Sequence, residues 1–143
     1  QWTWVSGSNL INQNGVYGAK GVAAASNTPG VRLGSVSWTD AAGNLWLMGG
    51  ENGSSRFNDL WKFNTSTNQW TWVGGANFVN QISSYGAKGV AAVSNQPGAR
   101  HSSVGWSDAA GNLWIFGGSG YASTTSVGLL NDLWKYEIAT DQW

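Results

Sequence analysis

Short stretches of alternating or continuous apolar residues recur along the chain, each closed by Gly, Asn, Asp or Ser. "QWTWV" (Gln1–Val5, again at Gln69–Val73) alternates tryptophan with threonine and valine, the period of a half-buried strand. "GSVSW" (Gly34–Trp38) is matched by "SSVGW" (Ser102–Trp106), and "DLWKF" (Asp59–Phe63) by "DLWKY" (Asp132–Tyr136). "NLWLM" (Asn44–Met48) and "NLWIF" (Asn112–Phe116) are apolar throughout, so Leu45 and Leu47 face one way, Trp46 and Met48 the other, and both faces need cover. No segment carries a capped helical period. The pattern predicts two units of four short antiparallel strands.

The two units are copies of each other. Gln1–Gly50 aligns with Gln69–Gly118 without a gap, and 34 of the 50 positions are identical. After the glycine pairs the copies diverge, "ENGSSRF" against "SGYASTTSVGLL", then rejoin at "NDLWKF" and "NDLWKY" with five extra residues in the second copy. The connections Thr39–Asn44 and Asn64–Asn68 are short and rich in turn residues. Ser6–Val31 and Glu51–Phe57 are long. In an up-and-down sheet, alternate connections fall on alternate ends, so the long ones share one end, where function on a rigid scaffold is expected. Within the first long connection, "GVAA" reads as a buried strand-like segment.

These residues resemble a kelch repeat. The resemblance rests on an Arg opening the inner strand (Arg32, Arg100) and a glycine pair closing the second (Gly49–Gly50, Gly117–Gly118). It rests also on aromatics in the third (Trp61–Phe63, Trp134–Tyr136) and a Trp in the fourth (Trp70, with Trp2 and Trp143 as copies). It implies an all-β fold: a β-propeller segment of two four-stranded blades, with repeats at 1–68 and 69–143, in a family whose rings usually have six or seven blades and act as binding scaffolds. A usual kelch unit is about 50 residues; the long stretch before each Arg enlarges these, as in large bacterial kelch-like surface proteins. Two blades cannot close a ring, and bare edges invite association. The expected partners are therefore further blades or copies of the chain, a trimer with six blades favoured over a tetramer with eight.

Composition narrows the chemistry. Seven basic and seven acidic residues leave no net charge, which argues against a phosphate-binding stripe and so against nucleic acid. No apolar run approaches the ~20 residues of a membrane span. Cysteine is absent, excluding disulfides and thiol catalysis. Polarity comes from Asn, Ser, Thr and Gly more than from charge, which favours an extracellular or cell-surface protein; no signal peptide precedes the first strand.

No catalysis, cofactor or metal is expected. His101 is the sole histidine, too few for a zinc or copper centre, and it fills the inner-strand position that Leu33 holds in the first copy. Kelch resemblance brings in galactose oxidase, but its copper chemistry needs Cys and several His ligands. Asp40 and Asp108 sit in equivalent hairpins and read as turn residues, not as a glycosidase pair. Asp59 and Asp132 read as local caps. Asn52 and Asn64 fit the glycosylation pattern and read as plain turns. Arg32 and Arg100 admit two readings: recognition of an acidic ligand, or bonding to backbone carbonyls. "YGAK" (Tyr17–Lys20, Tyr85–Lys88), identical in both long loops, is either functional or a packed piece. Most of the eleven tryptophans read as core. Gly49–Gly50 and Gly117–Gly118 precede no helix, so they cradle no phosphate; with Trp61, Trp70 and Trp134 they are structural. The expected function is binding of a protein or glycan through the long-loop end, with Tyr17, Lys20, Arg32, Tyr85, Lys88, Arg100 and His101 as candidates. The alternatives are a self-assembling subunit of a surface layer and a lectin.

Overall fold

Alternation along Val36–Thr39 sends Val36 and Trp38 into the interior and leaves Ser37 and Thr39 outside, which defines β1 in the computed structural model of residues 1–143. β1 pairs antiparallel with β2 (Leu45–Met48), with Trp38 opposite Trp46 and Val36 opposite Met48. β3 (Leu60–Asn64) pairs with β2, and β4 (Gln69–Gly74) with β3, giving a sheet in the order β1-β2-β3-β4. This is the first blade.

In the second blade, β5 (Arg100–His101) and β6 (Val104–Ser107) both pair with β7 (Leu113–Tyr121). β8 (Val127–Tyr136) runs along the other edge of β7 over its whole length. β5 and β6 are therefore two pieces of one inner strand, interrupted at Ser102, whose φ is +55°. The sheet counts four antiparallel strands, but two of them share the inner position, and the position of β4 is held only by Gln142, bridged to Glu137, and by Trp143. There is no helix, hence none long and apolar enough to cross a membrane, and the ring is not closed.

The core lies between the blades. Val36, Trp38, Trp46, Met48 and Leu60 of the first pack against Leu113, Ile115, Trp134 and Tyr136 of the second. Trp38 Nε1 donates to Trp114 O at 3.1 Å across the joint, and the inner edges are joined by Gly50 N to Arg100 O and Ser102 N to Gly34 O.

Four expectations are corrected. Gln1–Val5 forms no strand and Trp2 is fully exposed: an outer strand needs a third strand beside it, as Gln69–Val73 has in β3. "SGYASTTSVGLL" is not a loop but continues β7 and β8 into a longer hairpin with its tip at Ala122–Ser126. "GVAA" hydrogen-bonds along β4, Gly21 N to Trp72 O and Ala24 N to Trp70 O, yet Val22 is exposed. Of the tryptophans only Trp38, Trp46, Trp61 and Trp134 are buried, while Trp2, Trp4 and Trp106 are exposed.

Candidate functional site

The long connection before each inner strand folds back over the third strand of its blade, and one aspartate receives it. Arg32 donates through Nη1 to Asp59 Oδ1 at 2.6 Å and through Nη2 to Oδ2 at 2.8 Å. Its Nε also donates to Gly30 O and its Nη1 to Gly49 O. Tyr17 OH donates to Asp59 Oδ2 at 2.7 Å, and so does Trp61 Nε1. The Tyr17 ring packs on Trp61 and Trp72, with centroids 4.9 and 5.2 Å away. The second blade repeats the arrangement: Arg100 on Asp132 at 2.7 and 2.8 Å, Tyr85 OH at 2.6 Å and Trp134 Nε1 at 2.7 Å. The structure thus brings Tyr17 together with Arg32, and Tyr85 with Arg100, in two loop clamps. Paired forks of this kind are geometrically specific, and burial makes them costly to break.

The electrostatics agree with a fixed, non-reactive role. Burial, reinforced by Asp59, pushes the Tyr17 phenol well above its ordinary range; burial and Asp132 push Tyr85 up. Both hydroxyls therefore remain donors at neutral pH. Burial alone would raise the Asp132 carboxyl, but hydrogen bonds from Arg100, Tyr85 and Trp134 outweigh it and hold it at about 2. Asp59 and Asp132 are not local caps, as their position after Asn suggests, but the anchors of the clamps. Two further anchors recur in both copies, within the identical pairs Ser26–Asn27 and Ser94–Asn95. Asn27 Nδ2 donates to Val22 O and Trp70 O, and Asn95 Nδ2 to Val90 O and Trp143 O; each ties its loop to the outer edge of its blade.

The other candidates lie apart. Lys20 Nζ sits 5.2 Å from the Trp72 ring centroid and 3.4 Å from Gly75 O, beside a cleft of about 390 Å³ between the blades that also takes in Asn95, Asp141 and Trp143. Lys88 is exposed. His101 pairs in the ladder with Ser119, as Leu33 does with Glu51, and its Nε2 lies 3.6 Å from Glu51 of the other blade. Gly49 and Gly50 have φ of +67° and +97°, Gly117 and Gly118 of +65° and +94°. A Cβ on Gly49 would stand 2.6 Å from Arg100 O, so the glycine pair is where one blade's backbone meets the next.

At the opposite end, Asp40 accepts from Asn44 N at 2.9 Å and Trp46 Nε1 at 2.8 Å, and Asp108 accepts from Asn112 N and Trp114 Nε1 at the same distances. Hydrogen bonds from Asn112 and Trp114 hold the Asp108 carboxyl at about 2. Both are turn residues, as read from the sequence. Asn52 and Asn64 likewise accept from backbone N–H groups two and three residues on. No group of three or more His, Cys, Asp or Glu side chains comes together.

The two ends therefore differ. The short-loop end is closed by compact turns. The long-loop end presents two clamped connections and, between β7 and β8, a projecting hairpin on which Val127 is exposed and Leu129 is 91 % exposed. Ser83 braces that hairpin, donating through N to Ala122 O and through Oγ to Tyr121 O.

Stacked four-stranded antiparallel sheets with glycine pairs at the joint define blades of a β-propeller. The Kelch motif family matches residues 42–71, the stretch running from the first hairpin loop into the first half of β4. Residues 42–71 carry a kelch motif, and the two antiparallel sheets are consistent with propeller blades. No curated protein sequence matches it significantly. Among solved structures it is similar to one described as "Structure of YjhT", with 20 % identity and a TM-score of 0.43, over 66 % of this chain and 23 % of that one. The chain thus spans under a quarter of that protein's length.

Proposed function

We propose that this chain is a non-catalytic kelch-type scaffold of a secreted or cell-surface protein, and that it binds a protein partner through its long-loop end. The observation that carries this reading is the contrast between what is clamped and what projects. Tyr17, Arg32 and Asp59, with Tyr85, Arg100 and Asp132, hold both long connections rigidly against the sheets. The hairpin that differs between the copies extends past them with Val127 and Leu129 uncovered. Exposed apolar residues on a rigid support suit a protein contact, because little conformational entropy is lost on binding. Tyr17, Arg32, Tyr85 and Arg100 act here as supports for the surface.

A photo-crosslinking side chain placed at Leu129, and in a control at Thr65 on the short-loop end, tests the reading in an extract of the source cells. Adducts from position 129 alone are expected, and their loss when the neighbouring exposed Val127 is changed to Glu with the probe kept at 129. Equal labelling from both ends would overturn it. Binding on a glycan array without any protein adduct would also overturn it, in favour of a lectin.

A further inference from the structure

Arg32 and Arg100 are locked onto Asp59 and Asp132; the third arginine, Arg56, is not. It lies in the connection between β2 and β3, opposite Glu51 in an isolated bridge. Its Nε is buried with no hydrogen-bond partner, and no carboxylate pairs with its guanidinium. Glu51 turns its Oε2 toward His101 Nε2 instead, 3.6 Å away. The other carboxylates are engaged or remote. Asp59 and Asp132 are held in the clamps. Asp40 and Asp108 hold the turns of the short-loop end, and Glu137 and Asp141 lie in the turn after β8 at that same end. A buried donor left unpaired is costly and asks for a partner. The backbone that carries this one is fixed: Arg56 N donates to Asn80 Oδ1 at 2.9 Å, and Asn80 N donates to Arg56 O at 2.8 Å. Two residues to either side of Asn80, Phe78 is 60 % and Ile82 is 44 % exposed. All of these residues lie in the middle of the chain, with a blade in place on each side.

We propose that Arg56 receives an aspartate or glutamate side chain of the protein partner, while apolar residues beside that carboxylate rest on Phe78 and Ile82. A guanidinium matches a carboxylate with two parallel donors. Nε and one Nη make such a fork, and Nε is the donor left unpaired here. Apolar contacts around the pair exclude water and strengthen it. The sign of the charge also selects the partner. The chain has no net charge, yet its free carboxylates gather at the short-loop end, so an acidic segment meets no repulsion beside Arg56. The backbone held by Asn80 is already ordered, which limits the entropy lost on binding. The second copy offers no equivalent, because its β7–β8 hairpin replaces the connection that carries Arg56. This inference names the chemistry of the partner and rests on the proposed binding at the long-loop end.

A random-peptide phage library panned on the whole chain tests this. Selected clones are expected to carry Asp or Glu beside Leu, Ile or Phe. A labelled synthetic peptide of one such clone is then titrated by fluorescence anisotropy. Arg56→Gln should weaken its binding on the order of tenfold to a hundredfold. Arg56→Lys keeps the charge without the fork and should fall between the two. Replacing the peptide's acidic residue by its amide should cost as much as Arg56→Gln, and the two changes together little more, the mark of a direct pair. The Arg56 side chain bonds to nothing within the chain, so these variants should fold, and near-UV circular dichroism checks that they do. A library that yields no binder would overturn the proposal. So would selected peptides without a carboxylate, binding unchanged in Arg56→Gln, or losses that simply add. Adducts from position 129 that persist in Arg56→Gln, with peptide binding also unchanged, would refute the pairing and leave binding at the long-loop end standing. Absence of those adducts beside an Arg56-dependent peptide would refute the hairpin contact and keep the pairing.

Discussion

Arg32 and Asp59 lie 27 residues apart in sequence and meet through two parallel hydrogen bonds, with neither side chain more than 6 % exposed. Removing the guanidinium leaves a buried carboxylate without its counter-charge. Arg32→Met should lower unfolding free energy by about 3–5 kcal/mol, measured by urea denaturation. Arg32→Lys keeps the charge but not the fork, so the lysine variant should fall between wild type and methionine.

Tyr17 contributes a single hydroxyl to the same carboxylate, and Arg32 and Trp61 remain bonded to it when that hydroxyl is gone. Tyr17→Phe should therefore cost only about 1 kcal/mol globally. Its larger effect is local: the loop before Arg32 loses its polar attachment to the sheet. Limited proteolysis should cut within residues 6–31 faster in the variant, with the strands still protected.

The Asp132 carboxyl sits at about 2 against an ordinary 3.8. A depressed carboxylate favours the folded state above its unfolded value, and that contribution is lost as pH falls through the folded one. Stability should hold from neutral pH to about pH 5 and then fall between about pH 4 and pH 2. Asp132→Asn should flatten part of that decline in acid denaturation curves while lowering stability at pH 7.

Gly49 and Gly43 both have positive φ, but only Gly49 faces another backbone: Arg100 O would lie 2.6 Å from its Cβ, while nothing lies within 4 Å at Gly43. Gly43→Ala should cost about 1–2 kcal/mol from backbone strain alone. Gly49→Ala should cost clearly more, because the blades must also separate. Thermal melts of the two variants make the comparison, and equal losses would refute a packing role for Gly49.

The elements legible in the sequence were those that neighbours in sequence decide. β2 falls within the stretch its apolar pattern marks, β1 and β3 run one residue past theirs, to Thr39 and Asn64, and the Asp40 and Asp108 turns follow from Asp and Gly at fixed offsets. The identical segments Gln1–Val5 and Gln69–Val73 show where pattern stops: one is an outer strand and the other is unpaired, because strand formation depends on an adjacent edge more than on intrinsic preference. The clamps were half visible. Tyr17 and Arg32 stood out by their recurrence, but their partner Asp59 lies 42 and 27 residues away and carries no spacing signal. The hairpin extension escaped because Ser- and Gly-rich strands show no alternation.

β4 belongs to the second repeat in sequence and to the first blade in space. Counted from Gln1, the sequence copies are thus one strand out of phase with the sheets. On the ribosome the first sheet stays open at its edge until Gly74 has emerged, although its other three strands are complete by Asn64. A cut between residues 68 and 69, at the repeat boundary, would leave one fragment missing its edge and the other carrying a strand with nothing to pair with. Permutation or grafting of this chain belongs instead after Gly75, where the completed sheet lets go.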